Sequence, residues 1–338
     1  MSSIGILSTG SYLPDRVITN ADLAATAGVT PEWIESRTAI VERRRAASGE
    51  ATSDLAAAAA QRAMDAAGLV PAEIDFIVVA TSTPDHPQPA TASIVQHLIG
   101  ATTAAAVDVN AVCSGFVYAL AMAQGLLSVR AGGGYGLVIG ADIYSRILDY
   151  TDRKTAILFG DGAGAVVLGP VAEGTGIIGT TLRGHGAAHE LISVPAGGSR
   201  TPSSESTVRE GGHYFRMDGR GVRDFVNAQL PGAVSELLKE CAIDPIDVKH
   251  MVPHQANGMM LRDLWKDLDL PSATLQLTVE RYANTGSASI PITLDAAHRA
   301  GALSPGDNIL LAGFGGGMNL GLAMCQWSVP SFQEAGLN

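Results

Sequence analysis

The sequence predicts an α/β protein that is built from two similar halves. Several runs of apolar residues have the length of a strand and no polar alternation, which is typical of strands covered on both faces. Segments rich in helix formers separate these runs, as in parallel or mixed sheets. The order of segments then recurs, and a glycine cluster stands near the end of each half, at residues 159–164 and 314–318. We therefore divide the chain into an N-terminal half, residues 1–172, and a C-terminal half, residues 173–338.

In the N-terminal half, strands and helices are predicted in alternation. Thr30 and Pro31 are the residue types preferred at the N-cap and at the first position of a helix, and Asn20 is suited to cap the helix before it. The predicted strands cover residues 4–7, 76–81, 104–109, 135–140, 155–159 and 165–168. The predicted helices begin at residues 20, 31, 53, 92 and 116.

The C-terminal half is predicted to follow the same order. Its long helix over residues 221–241 contains Pro231, where we expect it to break or restart. Asn257 is suited to cap a helix over residues 259–268, and another helix covers residues 290–299. The predicted strands cover residues 176–182, 248–253, 273–279, 308–312 and 320–326, and residues 197–212 are predicted to form a surface loop.

Composition indicates a compact protein with room for two cores. Of the 338 residues, 46% are hydrophobic and 16% are charged, without a run of like charges. The net charge of −11 argues against broad contact with nucleic acid or an anionic membrane surface. The three cysteines form no C-x-x-C pair, which disfavours a zinc site and a disulfide framework and favours a reducing compartment. We therefore expect a cytoplasmic protein that binds no metal.

One thiol stands between a predicted strand and a predicted helix. Cys113 follows the strand over residues 104–109 and precedes the helix over residues 116–127. At a helix N-terminus, unpaired N–H groups and the helix dipole favour the thiolate, so the pKa of such a thiol is expected to fall. Cys113 is therefore a candidate nucleophile. The alternative is a small buried apolar residue, since free cysteines are commonly buried.

Two polar residues follow predicted strands of the C-terminal half. His254 comes directly after the strand over residues 248–253, and Asn284 lies between a strand and a helix. Ligands of such sheets bind at the ends of strands, so both residues are candidates for a shared site. The alternatives are a hydrogen-bonded core histidine and an asparagine that only forms a turn.

Trp33 and Arg37 are four residues apart on one predicted helix and so share a face. An indole and a guanidinium side by side could enclose a flat ring such as adenine. A core tryptophan beside a surface arginine is the alternative.

Five motifs, in this order along the chain, resemble those of the β-ketoacyl-acyl carrier protein synthase III enzymes of the thiolase superfamily. They are GSYLP at residues 10–14, EWI at 32–34, FGDGAG at 159–164, HQAN at 254–257 and FGGG at 314–317. The resemblance implies a thiolase-like five-layered αβαβα fold and a homodimer. It also implies that Cys113, His254 and Asn284 form a catalytic triad.

The resemblance implies a role for each of these residues. Cys113 attacks the thioester of an acyl-coenzyme A, and the backbone N–H groups of Cys113 and Gly316 stabilise the oxyanion. A malonyl thioester, expected on acyl carrier protein and alternatively on coenzyme A, then loses carbon dioxide. His254 and Asn284 each donate a hydrogen bond to the resulting enolate. The coenzyme A thioester is a substrate, and no cofactor is expected.

The same resemblance places the coenzyme A site. Trp33 and Arg37 correspond to residues around the adenine, and Arg153 and Asn257 to residues nearer the phosphates and the pantetheine. Arg223 stands near the tunnel, where phenylalanine is common in the family.

Further positions depart from the family pattern. An aromatic residue lent by the partner subunit often lines the acyl pocket, and Gln88 stands in its place. Together with Arg223, this polar residue favours a starter other than a plain short alkyl chain. Met259 replaces an arginine common in the family, which puts docking of the carrier protein in doubt; Arg262 could substitute for it.

The function predicted by this resemblance is condensation that initiates fatty-acid or polyketide synthesis. One alternative is an acyltransferase that passes the acyl group from Cys113 to an alcohol or amine. Another is a non-catalytic relative that only binds acyl-coenzyme A. The presence of both His254 and Asn284 favours condensation, because simple transfer needs no group that stabilises an enolate.

Overall fold

The computed structural model describes residues 3–130 and 133–330 and has mixed α/β secondary structure. Its strands are β1 Ser3–Tyr12, β2 Arg16–Thr19, β3 Glu42–Arg45, β4 Ile74–Ala80, β5 Ala105–Val109, β6 Tyr135–Ile143, β7 Asp161–Val171, β8 Gly176–Gly184, β9 Ile192–Ser193, β10 Arg216–Met217, β11 Val248–Pro253, β12 Thr274–Leu275, β13 Asn308–Gly315 and β14 Asn319–Gln326. Its helices are α1 Asn20–Ala27, α2 Pro31–Thr38, α3 Thr52–Ala67, α4 Thr91–Leu98, α5 Gly115–Ser128, α6 Glu205–Arg209, α7 Gly219–Glu240, α8 Gly258–Trp265, α9 Val279–Tyr282 and α10 Ser289–Arg299.

Two five-stranded sheets share one topology. The first has the order β1-β7-β6-β4-β5, and the second has the order β8-β14-β13-β11-β12. In the first sheet β4 is parallel to β5 and β6, and β7 is antiparallel to β1 and β6. The second sheet repeats this pattern, with β11 parallel to β12 and β13 and β14 antiparallel to β8 and β13. The prediction of two similar halves is confirmed, while the boundary at residue 172 stays a prediction.

Helices cover both faces of each sheet and give the five layers. α3 and α4 pack on the outer face of the first sheet, and α7 packs on the outer face of the second. α5 and α10 lie between the sheets and contact both. This is the thiolase-like αβαβα arrangement that the motifs implied.

Strands buried on both faces explain the continuous apolar runs in the sequence. In β4, Val78 points into the core between the sheets, while Ile77 and Val79 point into the core under α3 and α4. In β13, Leu311 and Leu310 divide in the same way between the central core and the core under α7. With both side-chain directions buried, no polar alternation remains in the sequence.

The predicted break at Pro231 is wrong, because α7 continues through this residue. A proline inside a helix removes one hydrogen bond and costs about 3 kcal/mol. Val226, Leu230 and Val234 lie fully or almost fully buried on the second sheet around the proline. Their burial keeps the helical turns before and after Pro231 in one continuous helix, because packing of an apolar face contributes more to helix stability than local propensity.

Other local predictions also need correction. Residues 155–159 form turns instead of a strand, and their apolar side chains are buried beside the active-site cavity. Thr19 caps α1 instead of Asn20, whose side chain bonds to the Ile40 carbonyl and to Arg43. The strand expected over residues 273–279 is only β12, and the loop over residues 197–212 contains α6.

Candidate active site

The Cys113 thiol lies between the end of β5 and the start of α5, as predicted. A single turn of 3₁₀ helix, Val112–Ser114, makes the connection. Val112 has a φ of 48°, in the left-handed region that β-branched residues rarely occupy. A residue held there costs on the order of 1–3 kcal/mol, so the surrounding fold must enforce this turn. The turn brings the Cys113 side chain to the wall of a cavity, while the residue is only 6% exposed.

The end of β13 packs closely against Cys113. A Cβ atom at Gly315 would lie 2.8 Å from both Cβ and the backbone N of Cys113, and one at Gly316 would lie 2.8 Å from Cγ2 of Val112. Only glycine permits this approach of backbone to backbone. The approach brings the amides of residues 315 and 316 close to the turn that carries the thiol.

The surroundings of Cys113 keep the thiol protonated. Its pKa is raised to about 12, mainly by burial and in addition by the charge of Asp142, while a hydrogen bond with Tyr144 opposes the rise. This direction is opposite to the one that its place before α5 predicts. The sequence indicates the helix, but it does not indicate how completely the thiol is enclosed or that a buried carboxylate lies nearby.

The pH dependence of alkylation tests this pKa directly. With a pKa of about 12, the thiolate fraction of Cys113 rises about tenfold per pH unit between pH 7 and pH 10. We therefore expect alkylation by iodoacetamide, followed by intact mass, to accelerate throughout this range. A Cys113→Ser variant corrects for Cys241 and Cys325. A plateau near pH 8 would instead mean that the helix N-terminus lowers the pKa.

His254 follows β11 and is 2% exposed. Its Nδ1 is 2.8 Å from Oγ of Ser289, and its ring packs edge-on against Phe314 at a centroid distance of 5.3 Å. Burial lowers the pKa of His254 to about 3, against a hydrogen bond with the Gly286 backbone that raises it. The imidazole is therefore neutral at neutral pH.

Asn284 lies in the loop before α10 and is 5% exposed. Its Oδ1 accepts a hydrogen bond from Gly286 N at 2.9 Å, and its backbone bonds with Leu158 and Gly160 at 2.9 Å each. Nδ2 has no hydrogen-bond partner within the described part of the chain. Because the amide oxygen is occupied, the arrangement leaves its NH₂ group available as a donor in the cavity.

One cavity of about 1290 Å³ joins the three residues, and Cys113, His254 and Asn284 all lie on its wall. The predicted substrate-binding residues Trp33, Arg37, Arg153, Arg223 and Asn257 also line it. Gly315 lines it, whereas the predicted Gly316 lies one residue further along.

The contacts of the coenzyme A residues differ in part from expectation. The guanidinium of Arg153, and not that of Arg37, lies over the Trp33 ring, 5.9 Å from its centroid. Oδ1 of Asn257 caps α8, and its Nδ2 donates to the Arg37 carbonyl at 3.1 Å. Asn257 therefore shapes the wall, with both ends of its amide already hydrogen-bonded.

Two positions read from the family pattern lie away from the buried end of the cavity. The Arg223 side chain is 57% exposed and 3.7 Å from Asp224, so it lies at the mouth of the cavity and not in its interior. Gln88 is exposed in the loop between β4 and α4 and does not line the cavity of its own chain. That Gln88 faces the acyl pocket of a partner subunit stays a prediction.

Sequence reasoning missed several residues of this cavity. Lys154, Arg216 and Arg220 add positive charge to its lining. Arg220 and Arg223 are three residues apart in α7, and this spacing was a signal that they share a face. Missed as well was an aromatic cluster, in which Tyr144 stacks on Phe159 at 4.4 Å and Phe215 meets both rings edge-on. Its members are distant in the sequence, which leaves no local pattern.

A second groove, of about 400 Å³, lies beside the cavity and shares Ser36 and Met259 with it. Its lining includes Glu32, Glu35, Met259, Arg262 and Glu280. Arg262 forms an ion pair with Glu280. The arginine proposed as a substitute for the one missing at Met259 is thus already paired.

Within residues 3–130 and 133–330, no helix is long and apolar enough to cross a membrane. The same residues contain no group of three or more His, Cys, Asp or Glu side chains that could hold a metal ion.

Comparison with known proteins identifies relatives over nearly the whole chain. The family models for the 3-oxoacyl-[acyl-carrier-protein] synthase III and its C-terminal part match residues 107–186 and 238–327. An acetoacetyl-CoA synthase of Streptomyces sp. (strain CL190) is 55% identical over 95% of this chain and 98% of its own. A β-ketoacyl-[acyl-carrier-protein] synthase III of Caldanaerobacter subterraneus subsp. tengcongensis is 44% identical over 96% of this chain and 98% of its own. The crystal structure of the Pseudomonas aeruginosa PAO1 synthase III superposes with a TM-score of 0.88 at 37% identity, covering 96% of this chain and 98% of that one.

Proposed function

Because this chain belongs to the 3-oxoacyl-[acyl-carrier-protein] synthase III family of condensing enzymes, we propose that Cys113, His254 and Asn284 carry out its decarboxylative condensation. The observation that carries the proposal is the meeting of these side chains in one cavity, with the amide oxygen of Asn284 occupied and its NH₂ group left as a donor. Trp33 and Arg153 at the mouth support coenzyme A as the carrier of the starter.

In the first half-reaction, the acyl group moves from coenzyme A to Cys113. The thiol must lose its proton as it attacks, and we assign His254, on the wall of the same cavity, to pass this proton to the leaving sulfur. Because its pKa is lowered, the imidazole does not stay protonated between the two half-reactions. The sulfur forms a bond to the acyl carbon, and the backbone N–H groups of Cys113 and Gly316 stabilise the oxyanion. The bond to the coenzyme A sulfur then breaks, and coenzyme A leaves as the thiol after it takes up the proton.

In the second half-reaction, a malonyl thioester binds and its carboxylate leaves as carbon dioxide. The electron pair of the broken C–C bond forms an enolate, whose oxygen accepts hydrogen bonds from Nδ2 of Asn284 and from His254. The enolate carbon attacks the acyl carbon on Cys113, and the cysteine leaves as thiolate and is reprotonated. This route needs neither a metal nor another cofactor.

We infer that the malonyl group arrives on coenzyme A instead of acyl carrier protein. Carrier proteins are acidic, and the groove beside the mouth offers Glu32, Glu35 and Glu280 together with an arginine that is already paired. Met259, which is 40% exposed, provides no charge at the docking position. The relative named as an acetoacetyl-CoA synthase supports the same assignment.

A short starter such as acetyl agrees best with the cavity. Phe159 and Phe215 line it, and Tyr144 is a hydrogen-bond partner of Cys113. These packed rings limit the space beside the sulfur. Because Arg223 is exposed at the mouth, it no longer supports a polar starter, and contact with a phosphate of coenzyme A becomes its better role.

A competition between two malonyl carriers tests the acceptor. With acetyl-coenzyme A as starter, we expect kcat/KM for malonyl-coenzyme A to exceed that for malonyl-acyl carrier protein by about tenfold or more. The variant Glu280→Gln frees Arg262 and should raise the use of the carrier protein selectively.

Three other outcomes would overturn parts of this proposal. A higher kcat/KM for malonyl-acyl carrier protein than for malonyl-coenzyme A would overturn the assignment of coenzyme A as the malonyl carrier. The enzyme would then have the role in fatty-acid or polyketide synthesis that its family resemblance implies. Acylation of Cys113 without consumption of malonyl thioester would mean simple acyl transfer to an alcohol or amine. Failure of Cys113 to form any acyl adduct, seen by intact mass, would mean a non-catalytic binding protein.

Among the described residues of this chain, the β5 edge of the first sheet has no partner strand, which supports a homodimer. β5 pairs with β4 on one side only, and its Val107 is 41% exposed. Exposed edge strands are normally protected or paired. We propose that β5 pairs with a second copy and that Gln88 faces the partner's cavity, in a cytoplasmic enzyme; sedimentation velocity would measure the mass.

A further inference from the structure

A carboxylate lies completely buried beside the proposed site. Asp142, in β6, has 0% exposure and has no salt-bridge partner in the described part of the chain. Burial of a carboxylate is costly unless several donors surround it. Burial raises the pKa of Asp142, and the hydrogen bonds of Ser82, Ser287 and Thr83 lower it. The free-energy cost of its burial indicates that this carboxylate has a specific role in the protein.

Its two oxygen atoms face different parts of the protein. Oδ1 accepts hydrogen bonds from Ser82 N at 2.8 Å, Ser82 Oγ at 3.0 Å and Thr83 Oγ1 at 2.9 Å, all in the loop after β4. Oδ2 accepts from Ser287 N at 2.8 Å and lies 2.7 Å from Ser287 Oγ. Asp142 therefore joins the first sheet to the loop that precedes α10.

That loop, residues 284–287, carries the proposed enolate donor. Gly286 N holds Oδ1 of Asn284, and the Gly286 backbone also bonds with His254. Gly286 has a φ of 60°, and a Cβ atom there would lie 2.3 Å from Oδ2 of Asp142. The position of the carboxylate thus fixes the position of Gly286, and Gly286 in turn fixes the side-chain amide of Asn284.

The hydrogen-bond partners of Oδ1, the other oxygen of Asp142, extend towards Cys113. Ser82 Oγ is 2.9 Å from the hydroxyl of Tyr144, and Tyr144 is one of the groups that lower the pKa of Cys113. One buried group therefore contacts the supports of both the nucleophile and the enolate donor.

We propose that Asp142 is a positioning residue for condensation, acting through Ser287 to hold the loop of residues 284–287 so that the amide of Asn284 points at the enolate oxygen. The proposal rests on the proposed function, because it assigns a support to one of its donors. Asp142 itself touches no substrate in this scheme. Loss of its charge should impair the step that uses Asn284, whereas formation of the acyl-enzyme should not slow, because the charge of Asp142 raises the pKa of Cys113.

The variant Asp142→Asn tests this proposal, because in either orientation of the new amide its NH₂ group would face a backbone N–H donor, that of Ser287 or that of Ser82. We expect kcat for condensation to fall on the order of 10²-fold, as for a donor displaced by about 1 Å. Coenzyme A release in the absence of malonyl thioester, which reports acylation, should stay within about fivefold of wild type, and so should KM for the starter.

A matched control is Asp295→Asn. Asp295 is also buried, at 1% exposure, but its partners Thr9, Ser11 and Arg299 do not line the cavity. If both variants lose condensation equally, general loss of a buried carboxylate explains the effect and the proposal is overturned. If Asp142→Asn does not fold, Ser287→Ala removes the hydroxyl near Oδ2 and should produce the same split on a smaller scale, whereas wild-type condensation in Ser287→Ala would reject the assignment.

Combination with Asn284→Ala gives a second test. Because Asp142 acts largely through Asn284, the double variant should lose less than the product of the two single losses. Independent, multiplying losses would overturn the proposal while leaving the proposed function intact. A wild-type enzyme that consumes no malonyl thioester would instead remove the proposed function itself.

Discussion

Replacement of Cys113 by alanine is expected to abolish acyl transfer from coenzyme A, with a fall in turnover on the order of 10⁴-fold or more, because no other residue can form the thioester intermediate. The change removes one small buried atom, so the free energy of unfolding should change by no more than about 1–2 kcal/mol. Coenzyme A release and the acyl adduct on the intact protein measure the first effect, and thermal unfolding measures the second.

Cys241→Ala is the matched control for this experiment. Cys241 is only half-buried, lies against Gly179 of β8, and does not line the cavity. The control should acquire the acyl group at the wild-type rate. If Cys113→Ala still forms an acyl adduct, the nucleophile lies elsewhere and the proposed mechanism is wrong.

Asn284→Ala is expected to separate the two half-reactions. Acylation of Cys113 should persist, because the amide is assigned to the enolate alone. Decarboxylation and condensation should fall by about 10²–10³-fold, the usual effect of losing one donor to a developing oxyanion. Rapid quench with labelled starter measures acylation, and release of carbon dioxide measures the second step.

Asn284→Asp distinguishes donation from shape. The new carboxylate can still accept the hydrogen bond from Gly286 N, but it has no N–H group to donate and it brings a negative charge next to the enolate. It should be at least as inactive in condensation as the alanine variant. Acylation that falls as far as condensation in both variants would indicate that Asn284 activates the thiol instead.

The sequence predicted those features that depend on local patterns. Strands such as β4 could be predicted because both of their faces are buried, which gives a continuous apolar run. Cys113 was placed correctly because a strand and a helix flank it. His254 was placed correctly because it follows a strand of the second half. Asn284 was assigned to the same site on a strand that the structure shortens to β12, and it follows α9 instead, yet it meets His254 and Cys113 in one cavity.

Features that depend on contacts between distant segments were missed. Whether Pro231 ends a helix is decided by the burial of its neighbours on the second sheet, and the pKa of Cys113 is decided by enclosure and by a carboxylate from another strand. Arg153 reaches Trp33 although 120 positions separate them in the numbering. In each case the sequence supplies the residue type, and the fold supplies the partner.

The backbone conformations of Val112 and Ala283, both with positive φ, limit where this protein can be stabilised by engineering. Val112 precedes Cys113 at a φ of 48°, and Ala283 precedes Asn284 at a φ of 57°. Searches for thermostable variants favour substitutions that relieve such conformations, and glycine at either place would do so. Greater backbone freedom beside the reacting groups would then be selected together with heat resistance, at the expense of turnover. Stabilising libraries for this scaffold should therefore leave positions 112 and 283 unchanged and draw their gains from the outer helices.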